Sequence, residues 1–219
     1  NIVGNTSYAY DSLNRLSHAY VDGKLVSSYQ YNSFSQRIMK NVDGNKTIFI
    51  YNSAGQLLEE INQQQNVTKD YIYADGQLIG LTENGILVYI VADHLNAPQM
   101  VLDNTGKSIW FAKYNEFGKP TILSNYKLNI RADGQYQDDE TGLYYNWYRY
   151  YDPNLGRYIT SDPLGLRAGN NTYIYVNGNP INYTDQTGLW LNIVAGMVIS
   201  GGSEAFSQYL QHGSDFKQW

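Results

Sequence analysis

Tyr51-Asn52-Ser53-Ala54-Gly55-Gln56-Leu57-Leu58 is the stretch whose reading decides the fold. Asparagine hydrogen-bonds its own backbone two residues on and glycine supplies positive φ, so Asn52 to Gly55 reads as a tight turn. The preceding Lys46-Thr47-Ile48-Phe49-Ile50-Tyr51 has the alternation of a strand, and Leu57-Leu58 opens a returning one. The pattern stands twice upstream, as Tyr10-Asp11-Ser12-Leu13-Asn14-Arg15-Leu16 and Tyr31-Asn32-Ser33-Phe34-Ser35-Gln36-Arg37-Ile38. A shorter version follows downstream, Tyr73-Ala74-Asp75-Gly76-Gln77-Leu78. The leading tyrosines are 21, 20 and 22 residues apart. Asp22-Gly23, Asp43-Gly44 and Asp75-Gly76 add two-residue hairpin signals. A repeat of about 20 residues that builds only two strands cannot bury its own face, so neighbours must stack. An all-β chain with an elongated or spiralling sheet follows.

Composition agrees. Of 219 residues 15% are aromatic, with 22 Tyr against 6 Phe and 4 Trp, and 20 Gly are spread through the chain. Tyrosine suits strands and carries a hydroxyl for a partly wet face. The net charge of −5 argues against nucleic acid as the main partner, because phosphate binding needs a basic face. The absence of cysteine excludes disulfides and thiolate metal sites. No P-loop, HExxH or Ser-His-Asp signature stands out, so neither a metal nor a cofactor is expected. His94 is one of three histidines, with His18 and His212, and has no second ligand at metal spacing, so its expected role is structural. The apolar run Trp190 to Ser200 is too short to span a bilayer. The chain begins Asn-Ile-Val and reads as a fragment or a processed product.

These repeats resemble the YD repeats of the Rhs family, which is shared with insecticidal-toxin C subunits, wall-associated bacterial proteins and animal teneurins. The resemblance implies a hollow β-shell (a cocoon) of which residues 1–124 form the last turns. Asp93-His94-Leu95-Asn96-Ala97-Pro98 and Tyr114-Asn115-Glu116-Phe117-Gly118 look like the family's lead-in to its core region.

From Gly134 to Leu189 the sequence resembles the Rhs repeat-associated core: Gly134-Gln135-Tyr136-Gln137-Asp138-Asp139-Glu140-Thr141-Gly142-Leu143-Tyr144-Tyr145, then Arg149-Tyr150-Tyr151-Asp152-Pro153, Asp162-Pro163-Leu164-Gly165-Leu166 and Asp185-Gln186-Thr187-Gly188-Leu189. The expected core or plug segment is 125–189. Asp162 and Asp185 open near-copies of one motif 23 residues apart. If two such turns faced each other, repulsion would leave one carboxyl protonated, giving an acid and a base that can activate water against a peptide carbonyl. The resemblance implies this arrangement, with Arg149 beside the pair and a cut at Leu189–Trp190. Arg149 would hold a carboxylate or polarise the scissile carbonyl. An aspartate before proline or glycine also caps turns without any catalysis. One departure stands out: the family reads Asp-Pro at the second motif, and this chain reads Asp185-Gln186. Glutamine neither fixes φ nor restricts the residue before it, which predicts slowed or lost cleavage.

Residues 190–219 change character, with apolar residues at helical spacing, and are expected to open a variable C-terminal toxin with a short helical tail. A membrane-inserting role for this stretch is an alternative. The implied function is the shell of a secreted bacterial effector that encloses its toxin and frees it by single-turnover aspartic autoproteolysis. Expected partners are the toxin itself, the earlier part of the shell, a type VI spike or toxin-complex subunits, and an immunity protein. The contrasting expectation is a non-catalytic structural or adhesive shell, with which the sequon Asn66-Val67-Thr68 is compatible. Sugar binding by surface tyrosines is a third.

Overall fold

A computed structural model of the protein describes residues 5–124 and 126–189. The expected helical tail and Trp190 lie outside the described residues. Twelve strands form one antiparallel meander in which each strand pairs with its sequence neighbours. They are β1 (Thr6–Tyr10), β2 (Leu16–Val21), β3 (Lys24–Tyr31), β4 (Arg37–Val42), β5 (Asn45–Tyr51) and β6 (Leu57–Asn62). The meander continues through β7 (Val67–Ala74), β8 (Gln77–Glu83), β9 (Ile86–Ala92), β10 (Pro98–Leu102), β11 (Ser108–Tyr114) and β12 (Pro120–Ile122). A second antiparallel sheet follows, with β13 (Tyr136–Gln137), β14 (Tyr144–Asn146), β15 (Arg149–Asp152) and β16 (Arg157–Tyr158).

Two kinds of turn make the meander. Asp22-Gly23, Asp43-Gly44, Asp75-Gly76 and Asn84-Gly85 each hold two consecutive positive φ values. That is the type I′ geometry whose twist matches paired strands. The other kind follows the Tyr-Asp/Asn pattern. Asp11, Asn32, Asn52, Asp93, Asp103 and Asn115 each accept, through Oδ1, the N–H groups two and four residues on, at 2.9–3.0 Å. The residue three positions on has positive φ in all six. The shorter Tyr73 unit closes as the expected two-residue hairpin, a type I′ turn at Asp75-Gly76. Asp and Gly there are adjacent, so no loop remains for an aspartate to bridge.

The tyrosine before the turn also has a task. Tyr31, Tyr73 and Tyr114 reach back across the sheet to donate to the carbonyls of Leu16, Leu57 and Pro98 at 2.7–3.0 Å. A phenylalanine would pack there but leave the carbonyl unmet, which accounts for the preference for Tyr.

Alternate residues of the odd strands point inward: Ser27 and Tyr29, Thr47 and Phe49, Lys69 and Tyr71, Val88 and Ile90, Trp110 and Ala112. The apolar members of these pairs share a single hydrophobic core with Leu128, Ile130, Tyr136, Leu143, Tyr145 and Tyr150 of the closing segment. The large sheet therefore wraps the closing segment, and the second sheet is packed against it. Where β2 and β6 open with Leu16 and Leu57, β4 opens with Arg37, which is fully buried. It faces inward because Asp138 of the closing segment is there to pair with it.

Candidate active site: two aspartates on one arginine

The β14–β15 hairpin turns through Trp147 and Tyr148 and places Asn146 opposite Arg149. Its tip is held on the rim of the large sheet, where Trp147 Nε1 donates to Phe34 O at 2.9 Å. Two loops converge on this tip. Arg149 Nη2 lies 2.8 Å from Asp162 Oδ2 and 3.4 Å from Asp185 Oδ2. All three residues are at most 5% exposed. The structure thus brings the three residues singled out in the sequence onto one nitrogen.

The two aspartate turns are related but not identical. Each has a glycine three residues on with positive φ, Gly165 at 60° and Gly188 at 75°. Asp162 Oδ1 accepts Leu164 N at 2.8 Å, a short turn around Pro163. Asp185 Oδ1 accepts Gly188 N at 2.9 Å and Leu189 N at 3.1 Å, so its carboxylate grips the two residues before the expected cut. Arg149 Nε donates to Gly188 O and Nη1 to Thr172 O at 3.2 Å. Gly188 has no room for a side chain, because a Cβ would lie 2.4 Å from Asn146 O.

Two side chains without an assigned role in the sequence complete the site. Tyr158 donates its hydroxyl to Asp185 Oδ2 at 2.7 Å, and its ring lies 3.6 Å beneath the Arg149 guanidinium. Asn146 Nδ2 donates to Tyr158 Oη and to the Asp185 carbonyl, both at 2.8 Å. Asn146 and Tyr158 both sit in recognisable strand patterns, but no spacing rule connects them to Asp185. Their partner is chosen by the fold.

Burial pushes the Asp162 carboxyl above the usual carboxylate range; Arg149 opposes the shift and the Asp185 charge adds to it. The Tyr158 hydroxyl is driven well above its ordinary value by burial and by Asp185, so it acts as a donor. Gln186 is exposed and borders a narrow cleft with Asn96, Asp133, Asn146 and Trp147. The Asp185 carboxylate is fixed by surrounding donors in the absence of a following proline. His94 Nε2 lies 3.0 Å from Ile181 O, a structural contact. Among the described residues, no three His, Cys, Asp or Glu side chains converge to hold a metal ion.

The sequence matches the teneurin YD-shell family over residues 2–182. It is 34% identical to a tRNA3(Ser)-specific nuclease WapA of Bacillus spizizenii, covering 94% of this chain and 9% of that protein. The toxin protein Tse5 of Pseudomonas aeruginosa is 30% identical over 85% of this chain and 17% of its own length. The chain therefore spans a small part of these relatives. Among solved structures, a complex titled TcdB2-TccC3-Cdc42 superposes with a TM-score of 0.68 at 22% identity, covering 84% of this chain and 10% of that one. A Photorhabdus luminescens Tc holotoxin pore gives 0.67 at 22% identity, covering 86% of this chain and 10% of that one. With the repeat turns, the wrapped core and the family match together, the chain belongs to the teneurin YD-shell family.

Proposed function

We propose that residues 125–189 form a single-turnover aspartic autoprotease that cuts the chain after Leu189, inside a shell whose closing turns are residues 1–124. One observation carries this reading: two buried aspartates share Arg149, and one of them also holds the N–H of Leu189. Asp162, with its raised pKa, is the group suited to carry a proton. A water molecule adds to the Leu189 carbonyl carbon, giving up its proton to the Asp185 carboxylate. Asp162 donates its own proton as the carbon–nitrogen bond breaks. The products are a Leu189 carboxyl and the free amine of Trp190. Arg149 offsets the charge that develops between the carboxyls.

The relatives named as nuclease and toxin support a wider setting, in which residues 190–219 open a toxin enclosed by the shell. The whole protein would then be a secreted bacterial effector. Its partners would be the earlier shell, a delivery spike or toxin-complex subunits, and an immunity protein. A non-catalytic shell is the competing reading, favoured by the two backbone N–H groups that already occupy Asp185 Oδ1 as in a structural turn.

Mass spectrometry of the denatured complete protein separates the two. The expected wild-type result is two polypeptides with the junction at Leu189–Trp190, and a single uncut chain in Asp162→Asn and in Asp185→Asn. An intact wild-type chain after denaturation overturns the protease.

A further inference from the structure

One rim turn of the large sheet, residues 93–97, holds the segment that leads into Asp185, and it does so around a carboxylate that the cleavage chemistry leaves unused. Asp133 Oδ2 accepts Thr184 Oγ1 at 2.7 Å, and Oδ1 accepts Asn96 Nδ2 at 3.4 Å. The Asp133 N–H donates to Leu95 O at 3.1 Å. His94 Nε2, on the same turn, meets Ile181 O at 3.0 Å. Asp93 rigidifies the turn by accepting the N–H groups of Leu95 and Ala97. Asp133 itself adopts a left-handed conformation, φ 46° and ψ 45°, which aspartate tolerates better than most residues. In this conformation the Asp133 carboxylate meets the Thr184 hydroxyl.

Thr184 is the residue immediately before Asp185. Beyond Asp185, the chain is held by the Asp185 carboxylate on Gly188 and Leu189 and by Arg149 on Gly188 O. Before it, the Asn146 contact to the Asp185 carbonyl and the Asp133–Thr184 bond define the approach.

We propose that Asp133 is a positioning residue for Asp185: it fastens Thr184 to the rim turn at Asn96, so that Asp185 reaches Arg149 only when the β9–β10 turn of the shell is in place. This rests on the cleavage reading above, and it makes the cut conditional on a formed shell rim.

The test follows cleavage over time in the complete protein made by cell-free synthesis, with thermal unfolding of each variant in an Asp185→Asn background to verify folding. Thr184→Val removes the donor and keeps the shape, and it is expected to slow cleavage about tenfold or more, the scale on which misplaced groups lose rate. Thr184→Ser restores the hydroxyl and the rate. Asp133→Gly, which removes the acceptor and suits the left-handed backbone, slows cleavage similarly, and adding Thr184→Val to it produces no further loss, because both changes cut one link. Asp133→Gly, compatible with the positive φ at this position, carries the test if Thr184→Val fails to fold. Wild-type rates in both variants, a Thr184→Ser chain as slow as Thr184→Val, or losses that multiply in the double variant overturn the proposal while cleavage itself stands. A wild-type chain that never cleaves overturns both.

Discussion

Arg37 occupies the place that Leu16 and Leu57 occupy in neighbouring hairpins, the first residue of the returning strand, and no part of it reaches solvent. Its Nη1 donates to Asp138 Oδ2 at 2.5 Å and to Tyr150 Oη at 3.1 Å. Nε and Nη2 make no hydrogen bond among the described residues. They sit among the rings of Tyr29, Phe49, Tyr136, Tyr145 and Tyr150, whose centroids lie 4.5–5.9 Å from the guanidinium carbon. The electron-rich ring faces take the place of missing acceptors. Asp138 is also held by Lys40 at 3.0 Å, and Lys40 reaches Glu140 at 3.2 Å. Arg37→Leu fits the repeat but strips Asp138 of its nearest cation, and breaking a buried pair from one side costs about 3–5 kcal/mol. Denaturant unfolding is expected to show a loss of that size, partly recovered by adding Asp138→Asn. Unchanged stability in the single variant would mean that Lys40 alone neutralises Asp138.

At the scale of elements, the Asp/Asn turn is the unit that specifies the sheet, and two of its glycines make a controlled comparison. Gly55 and Gly106 occupy the same turn position with the same φ of +82°. A Cβ on Gly106 meets nothing within 4 Å, whereas on Gly55 it would lie 2.0 Å from Cζ3 of Trp147. Gly106→Ala is expected to cost only the left-handed conformation, about 1–2 kcal/mol. Gly55→Ala costs more and displaces Trp147 from the rim, which thermal melts and tryptophan fluorescence will register. Equal melting shifts with unchanged fluorescence would remove Trp147 from its role as a clamp. These turns were legible in sequence because their chemistry is local: Asp11, Asn32 and Asn52 each bond within four residues. The turns at Asp93 and Asp103 follow Ala92 and Leu102 instead of Tyr, so they escaped the pattern although their geometry is the same. Arg149, Asp162 and Asp185 were legible by resemblance to a family motif. Tyr158, Asn146 and Asp133 were not, because their partners lie 27, 39 and 51 residues away in loops whose approach the local sequence does not encode.

Across the whole molecule, two classes of contact separate cleanly by sequence distance. Every ladder of the large sheet joins consecutive strands, so the meander forms from local pairings. The closing segment depends on distant ones: Lys40 to Asp138 spans 98 residues, Trp147 to Phe34 spans 113, and Tyr31 to Tyr150 spans 119. Closing large loops costs entropy and local strand pairing costs less of it, so the sheet is expected to form before the segment it wraps. The site inherits that order. The hairpin bearing Arg149 and Asn146 has Trp147 at its tip, seated on the β3–β4 turn, and the Arg37 N–H at the start of β4 donates to Tyr145 Oη across 2.8 Å. Removing residues 1–51 would take away Phe34, Arg37 and Lys40 together while leaving every residue of the Arg149–Asp162–Asp185 cluster. If the proposed cleavage after Leu189 takes place, such a chain is expected to show almost none of it by mass spectrometry, whereas the chain that keeps those strands cleaves. Cleavage at the full-length rate without them would mean that residues 125–189 assemble their own geometry. The large sheet would then have no part in forming the proposed site.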